Sequence, residues 1–375
     1  RDMLLGTRPD DYDVATDATP ENVRKVFRRS LMVGAKCGVV VVLHRDRRGV
    51  DRMVEVATFR RDISYTDGRR PDAVTFSTPE EDAQRRDFTI NGMFYDPISE
   101  AVIDYVGGQA DLQSRLIRTI GNPKDRFAED YLRLIRAVRF AARLGFRIHP
   151  VTANAISARA QNITNISGER IFDELNKMLS HNSSEAALHS LHQYHLMRPI
   201  LPELFDPNDE PWLAARQRLI RIPCADDPLL NLGTLLMDLP SSVIGSIVRR
   251  WGGSNRLKQT LQWFSRHGST WREAADLPLC EFKRLMAKEE WQSLRLLWKV
   301  REKLETNAQQ QAGRIARRAG SIDPEQIAPA PFVTGDDLIE LGLQPGRRMG
   351  RILRSLYDEQ LNEKLTSRSK ALAEA

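Results

Sequence analysis

The most restrictive stretch of this chain is Glu129-Asp-Tyr-Leu-Arg-Leu-Ile-Arg-Ala-Val-Arg-Phe-Ala-Ala-Arg-Leu-Gly-Phe146, in which arginine returns at every third or fourth residue. Neither proline nor glycine interrupts it before Gly145, so the spacing predicts one helix ending on a glycine C-cap. At about 100° per residue, Tyr131, Leu134, Ile135, Val138, Ala141 and Ala142 share an apolar face. Arg133, Arg136, Arg139 and Arg143 gather on the opposite side, and Asp130 stands one turn from Arg133.

Two readings of that pairing are open. One is an i,i+3 ion pair on a solvated basic face. The other is a device for reading nucleobases, because a carboxylate accepts hydrogen bonds and a guanidinium donates them. Cytosine and adenine offer an amino donor beside a ring-nitrogen acceptor on their Watson–Crick edge, whereas uracil and guanine offer a carbonyl beside an N–H. Asp130 with Arg133 matches the first pair and mismatches the second, and the further arginines suit phosphates.

Glu-Asp-x-x-Arg-x-x-Arg-x-x-Arg-Phe resembles the nucleotide-selecting helix of the class II tRNA nucleotidyltransferase and bacterial poly(A) polymerase family. Four further stretches, met in the family's order, carry the same resemblance. Asp11 and Asp13 lie two apart at the start of an expected strand, so both side chains face one way. Carboxylates so close repel unless a cation lies between them, and hard oxygen ligands suit Mg²⁺ shared with substrate phosphates. The pair is similar to the family's catalytic Asp-x-Asp, with Arg1 matching an arginine ten residues earlier. The family normally has Gly-Gly-x-Val before that arginine, a turn that would grip the triphosphate, and this sequence does not contain it.

Gly38 to Leu43 and Met53 to Phe59 read as the two strands of a hairpin, joined by a basic turn from His44 to Arg52. Glu55 shares a face with Met53 and Ala57, and an acid among apolar neighbours needs a partner. It is a candidate third carboxylate, a structural ion pair being the alternative. Arg60 to Asp82 is polar and turn-rich and is expected to be a loop, corresponding to the family's flexible loop. Arg85-Arg86-Asp87-Phe88-Thr89-Ile90-Asn91 resembles the motif linked to choosing ribose over deoxyribose, which would put Arg86, Asp87 and Asn91 on the nucleotide. Asp104 to Gly108 resembles a strand followed by a glycine hinge, with a structural role only. Glu169 and Arg170 open the last similar stretch, running to Leu175, and are expected to brace the nucleotide-selecting helix.

A chain of 375 residues should form more than one domain, and 41% hydrophobic with 28% charged residues fits an ordinary globular protein. There is no apolar run long enough for a membrane span, and the first residues do not read as a secretion signal. The net charge of +6 permits a polyanionic partner. Cys37, Cys224 and Cys280 are widely spaced and fit reduced, buried thiols in the cytoplasm. The histidines show no metal-ligand spacing, so any metal should rest on carboxylates.

After about residue 200 only helices are expected, with the six tryptophans read as core, base-stacking platforms being the alternative. Near the end, Pro345-Gly346 precedes Arg347, Arg348, Arg351 and Arg354. A helix N-terminus with that much positive charge is a candidate grip on an RNA backbone, a solvated basic helix end being the alternative.

The resemblance implies an α+β protein: a polymerase-β-like head with a mixed sheet over 1–125, then all-helical neck (126–200), body (201–322) and tail (323–375). It implies a template-independent RNA nucleotidyltransferase using ATP and CTP. Asp11 and Asp13, with Glu55, would hold Mg²⁺. Arg1, Arg86, Asp87, Asn91, Asp130, Arg133, Arg136 and Arg139 would line the nucleotide site. The expected substrate is the tRNA 3′ end, receiving CCA or only its last A, on a monomeric cytoplasmic enzyme. A poly(A) polymerase and an inactive RNA-binding relative are the competing readings.

Overall fold

Runs of β-branched residues set the head. The computed structural model describes every residue except 10, 34–37, 46–48, 63–73, 206–208, 223–225 and 306–309. The described chain begins with β1 (Val14–Thr16), α1 (Pro20–Val26), β2 (Ser30–Met32), β3 (Val39–Arg45) and β4 (Asp51–Thr58). Thr19 caps α1 by accepting from the Asn22 N–H, and Pro20 takes its first turn. The four strands form one mixed sheet in the order β1-β4-β3-β2, with β1 parallel to β4 and the other pairs antiparallel. Val23 of α1 packs on Val40, Val42 and Val56 on one face. The other face of β4 carries Met53, 76% exposed, and the exposed Glu55. Both expected strands are present, whereas β2 has a short, mixed sequence that by itself predicts none.

The stretch expected to be a loop from Arg60 to Asp82 contains regular elements. β5 (Arg60–Asp62) pairs antiparallel with β6 (Val74–Phe76), and α2 (Pro79–Gln84) follows. Val74-Thr75-Phe76 has strand propensity, and Thr78-Pro79 repeats the cap and first-turn proline of α1, with Thr78 accepting from the Glu81 N–H. Residues 63–73 of that stretch lie outside the described residues.

The hairpin of β7 (Met93–Asp96) and β8 (Ala101–Asp104) leads into α3 (Gly108–Gln113) and β9 (Leu116–Ile117). Gly107 has φ 76°, a left-handed conformation that glycine adopts without strain. A Cβ on Gly108 would lie 2.3 Å from the Thr89 carbonyl oxygen, so this position needs glycine too. The structural role expected of the hinge holds.

The eighteen-residue stretch expected as one helix is broken. α4 (Pro123–Glu129) stops, Asp130 is extended at φ −153° and ψ 104°, and α5 (Leu132–Leu144) starts anew. Asp130 Oδ1 accepts from the Leu132 N–H at 3.0 Å, a side-chain turn that redirects the chain just ahead of Tyr131, the N-cap of α5. Asn122 and Pro123 make α4 a helix of its own. Gly145 closes α5 at φ 65°, as expected. The neck continues with β10 (Arg147–Ile148), parallel to β9, and with α6 (Pro150–Arg159), α7 (Gly168–Leu179), α8 (Ser184–Gln193) and α9 (Met197–Ile200).

The chain divides into two compact units, Arg1–Phe205 with Arg250–Gly252, and Asp206–Arg249 with Gly253–Ala375. The second contains α10 (Glu210–Leu219), α11 (Pro228–Leu236), most of α12 (Ser241–Arg250), α13 (Asn255–His267), α14 (Leu279–Met286), α15 (Trp291–Leu304), α16 (Gln311–Gly320), α17 (Gly335–Glu340), α18 (Arg347–Leu361) and α19 (Arg368–Ala373). Phe264, Trp271, Phe282, Trp291 and Trp298 build its main core, and Leu338, Met349 and Leu356 a smaller one near the C-terminus. Five of the tryptophans are buried, as expected, and Trp263 is only half-buried. Cys280 is buried, while Cys37 and Cys224 lie outside the described residues. Among the described residues no helix is long and apolar enough to cross a membrane.

Candidate active site

The break between α4 and α5 decides how Asp130 and Arg133 stand. They are not an i,i+3 pair along one helix. Asp130 Oδ2 accepts from Arg170 Nη2 of α7 at 2.7 Å. Arg133 Nη1 donates to Glu129 Oε2 at 2.6 Å and to the Arg126 carbonyl at 2.9 Å, and its Nη2 reaches the Arg85 carbonyl at 3.3 Å. Of the five guanidinium N–H groups, Nε–H and one on Nη2 remain uncommitted among the described contacts. Each Asp130 oxygen accepts from a single side-chain or backbone donor among them and keeps a second lone pair. The two side chains therefore retain the donor edge and the acceptor capacity that base reading requires.

The solvated basic face offered as one reading of α5 is not what forms. Arg133 and Arg139 are each 8% exposed, and Arg143 alone of the four is an exposed residue. Carboxylates from other elements neutralise the row. Asp87 Oδ2 accepts from Arg136 Nε at 2.9 Å and Nη2 at 2.7 Å, and its Oδ1 takes Asn91 Nδ2 at 3.0 Å and the Phe88 N–H at 2.8 Å. Glu174 of α7 accepts from Arg139 Nε at 2.6 Å and lies 3.7 Å from Arg136. Burial alone would push the Asp87 carboxyl up, but Arg136 and the Asn91 amide hold it below the usual carboxylate range. In Glu174 burial is likewise outweighed, by Arg139, Arg136 and Lys177, and its carboxyl also sits low. Asp87, expected to face a ribose, is thus spent on a bracket between the head and α5.

Phe140 is the hub of the cluster. The guanidiniums of Arg1, Arg136 and Arg139 lie 5.0, 5.4 and 4.2 Å from its ring centre. Arg1 also donates to Asn91 Oδ1 at 2.8 Å, so Arg1, Asn91, Asp87 and Arg136 form one connected group. Arg86 stacks over Phe94 at 4.8 Å, pairs with the buried Asp82 at 3.1 Å and donates to the Asn91 carbonyl. Arg126 donates to the carbonyls of Arg85 and Arg86 and to Glu129. Asp82, Arg126, Glu129 and Glu174 form part of the site without having been expected there. Glu174 falls within the stretch from Glu169 to Leu175, and four arginines on a buried helix require acids from elsewhere, which is the signal that could have found it.

Asp11 and Asp13 are exposed and precede β1 rather than lying in it. β1 pairs with β4 as Val14↔Val56, so one step back along the same register Asp13 comes level with Glu55. Glu55 is not the enclosed acid its alternation suggested. Its face of the sheet is open, and among the described contacts it makes no ion pair. Among the described residues no three His, Cys, Asp or Glu side chains stand close enough to hold a metal by themselves.

In the second unit, Arg347, Arg348, Arg351 and Arg354 are all exposed, and among the described contacts none pairs with an acid. Gly346 gives α18 no side-chain cap. Met349 and Leu356 point into the small core, so the arginine row faces out.

Residues 1–118 match the family described as the poly A polymerase head domain, and residues 145–206 the one described as a probable RNA and SrmB-binding site of polymerase A. The chain is 40% identical over 234 residues to poly(A) polymerase I of Salmonella typhi, covering 59% of this chain and 49% of that one. It therefore spans about half the length of that relative. It is 33% identical over 385 residues to the CCA-adding enzyme of Levilactobacillus brevis, covering 100% of this chain and 91% of the other. The crystal structure of the Bacillus stearothermophilus CCA-adding enzyme in complex with CTP superposes with a TM-score of 0.70 at 28% identity, covering 99% and 90% of the two chains.

Proposed function

The chain belongs to the family of CCA-adding enzymes and bacterial poly(A) polymerases, and we propose that it adds nucleotides to the 3′ end of tRNA without a nucleic-acid template. The observation that carries this reading is the state of Asp130 and Arg133. Each is held in place by a charged partner, Arg170 or Glu129, and each keeps free the hydrogen-bonding capacity that a cytosine or adenine edge would use. Such a pair discriminates by leaving a donor facing a donor when uracil or guanine enters. Arg1 and Arg136, beside Phe140, would face the triphosphate and Arg86 the ribose, a reading supported by the hydrogen bonds that Asp87 and Asn91 make to them.

The donor set just ahead of β1 is all carboxylate and exposed, which fits a hard divalent ion whose shell substrate phosphates complete. Asp11 and Asp13 would hold Mg²⁺, which when bound would lower the pKa of the attacking 3′-hydroxyl and neutralise the leaving pyrophosphate, while Glu55 does not close with them into a group of three among the described residues. Arg347, Arg348, Arg351 and Arg354 would hold the RNA backbone, since they face solvent and pair with no acid among the described contacts.

A poly(A) polymerase would use the same pocket, so product length separates the two. The test uses the protein, excess ATP and a tRNA ending in CC. A single added nucleotide supports tRNA 3′-end completion. A ladder of adenylates on tRNA and on unstructured RNA alike would make the chain a poly(A) polymerase.

A further inference from the structure

In the second unit a cavity of about 490 Å³ opens between α13 and the turn joining α14 to α15. Arg256, Gln259, Trp263 and Arg266 recur along α13 at intervals of three or four residues, so they form one stripe on the wall of that cavity. Trp263 is the one tryptophan not given wholly to the core. It packs against the core cluster, with its ring edge-on to Phe264 at 5.5 Å, yet it also lines the cavity. Lys288 stands on the facing wall.

His267 also packs against the indole, with ring centres 5.3 Å apart, and Gln262 Nε2 donates to the Ser241 carbonyl at 2.7 Å; the other polar groups lining the cavity fall into two sets. Arg256 is paired with Glu289, and Thr260 Oγ1 donates to Glu290 Oε1 at 3.0 Å, so those acids are already engaged. Gln259, Arg266 and Lys288 make no side-chain hydrogen bond or ion pair among the described contacts. A half-covered indole flanked by free cations and a free amide suits a flat, polar-edged ring attached to an anion. An unpaired nucleotide has that form: its base stacks, its phosphate takes the cations, and the amide meets its polar edge. The volume admits one nucleoside.

We propose that this cavity is a second nucleotide-binding site, which stacks one unpaired base of the RNA substrate on Trp263 and holds its phosphate with Arg266 and Lys288. The stacking chemistry stands on the cavity alone, whereas RNA as the source of the base rests on the function proposed above.

The test is binding of a fluorescent single-stranded RNA of mixed A and C, with tryptophan quenching as a second readout and AMP as competitor. Trp263→Leu should lose roughly 5- to 20-fold in affinity together with part of the quench, and Trp263→Phe should retain most of the affinity. Arg266→Gln with Lys288→Gln, both surface changes, should flatten the salt dependence of binding even if the leucine variant proves unstable. All variants should keep wild-type turnover on saturating short RNA. Unchanged affinity and quench in Trp263→Leu, or an unchanged salt slope in the double variant, would overturn the proposal. AMP competing as tightly as the RNA would overturn RNA as the ligand. Quenching by RNA in a protein that adds no nucleotide would leave the cavity assignment standing and remove only the catalytic reading.

Discussion

Arg170 Nη2 lies 2.7 Å from Asp130 Oδ2 although forty residues separate them in the chain. A helix that begins at Gly168 therefore fixes the orientation of the carboxylate at the α4–α5 break. Arg170→Ala should imitate Asp130→Ala in part, raising UTP and GTP incorporation relative to CTP and ATP. Loss of either member of the base-reading pair should cost roughly 1–3 kcal/mol of discrimination, by analogy with bidentate base readout. Single-nucleotide incorporation assays give the ratio, and a slower enzyme with intact selectivity would make the pair structural.

Glu174 is 2% exposed and carries the charge of Arg139. Glu174→Ala should destabilise the protein by about 3–5 kcal/mol, because it strands a buried guanidinium. Urea unfolding followed by circular dichroism measures this, and a destabilisation below about 1 kcal/mol would show that water replaces the carboxylate.

Asp87 and Glu174 both titrate below their usual range in the folded protein. A depressed carboxyl contributes stability above its unfolded pKa and loses it as pH falls through the folded one. Stability should therefore hold down to about pH 5 and fall steadily below about pH 4. In Asp87→Asn or Glu174→Gln the slope of stability against pH in that window should be shallower than in the unaltered protein.

Asp11→Ala or Asp13→Ala should abolish nucleotide addition while leaving tRNA affinity nearly unchanged, since the chemistry and the RNA grip rest on different residues. Paired turnover and filter-binding measurements check this. Full turnover in saturating Mg²⁺ would sink the assignment.

Replacing Arg347, Arg348 and Arg351 together should weaken tRNA binding and reduce its salt dependence by roughly one unit of slope for each phosphate that the variant no longer neutralises. A slope equal to that of the unaltered protein would place the RNA elsewhere.

Much of the fold is legible in the sequence because its signals are local. Thr19-Pro20 and Asn122-Pro123 open helices where their cap chemistry says they should, and Gly145 closes one. The same Thr-Pro signal at Thr78 is masked by a stretch whose polarity suggests a loop. Asp130 misleads for a related reason: within a Pro- and Gly-free run it reads as a helical residue, yet its carboxylate accepts from the Leu132 N–H two residues on and turns the chain out of the helix. The arginine row can be seen in the sequence, but not the acids that bury it, since Asp87 and Glu174 arrive from distant segments.

The parallel pairing of β1 with β4 has a consequence for the order of assembly. β3 and β4 meet through a short connection, whereas Val14 must find Val56 across the whole intervening hairpin. Closing that larger loop is rewarded only once β4 is already held by β3. Asp13 can thus stand level with Glu55 only after the rest of the sheet exists, and the candidate metal-binding end of the head would be the last part of it to take shape as the chain folds.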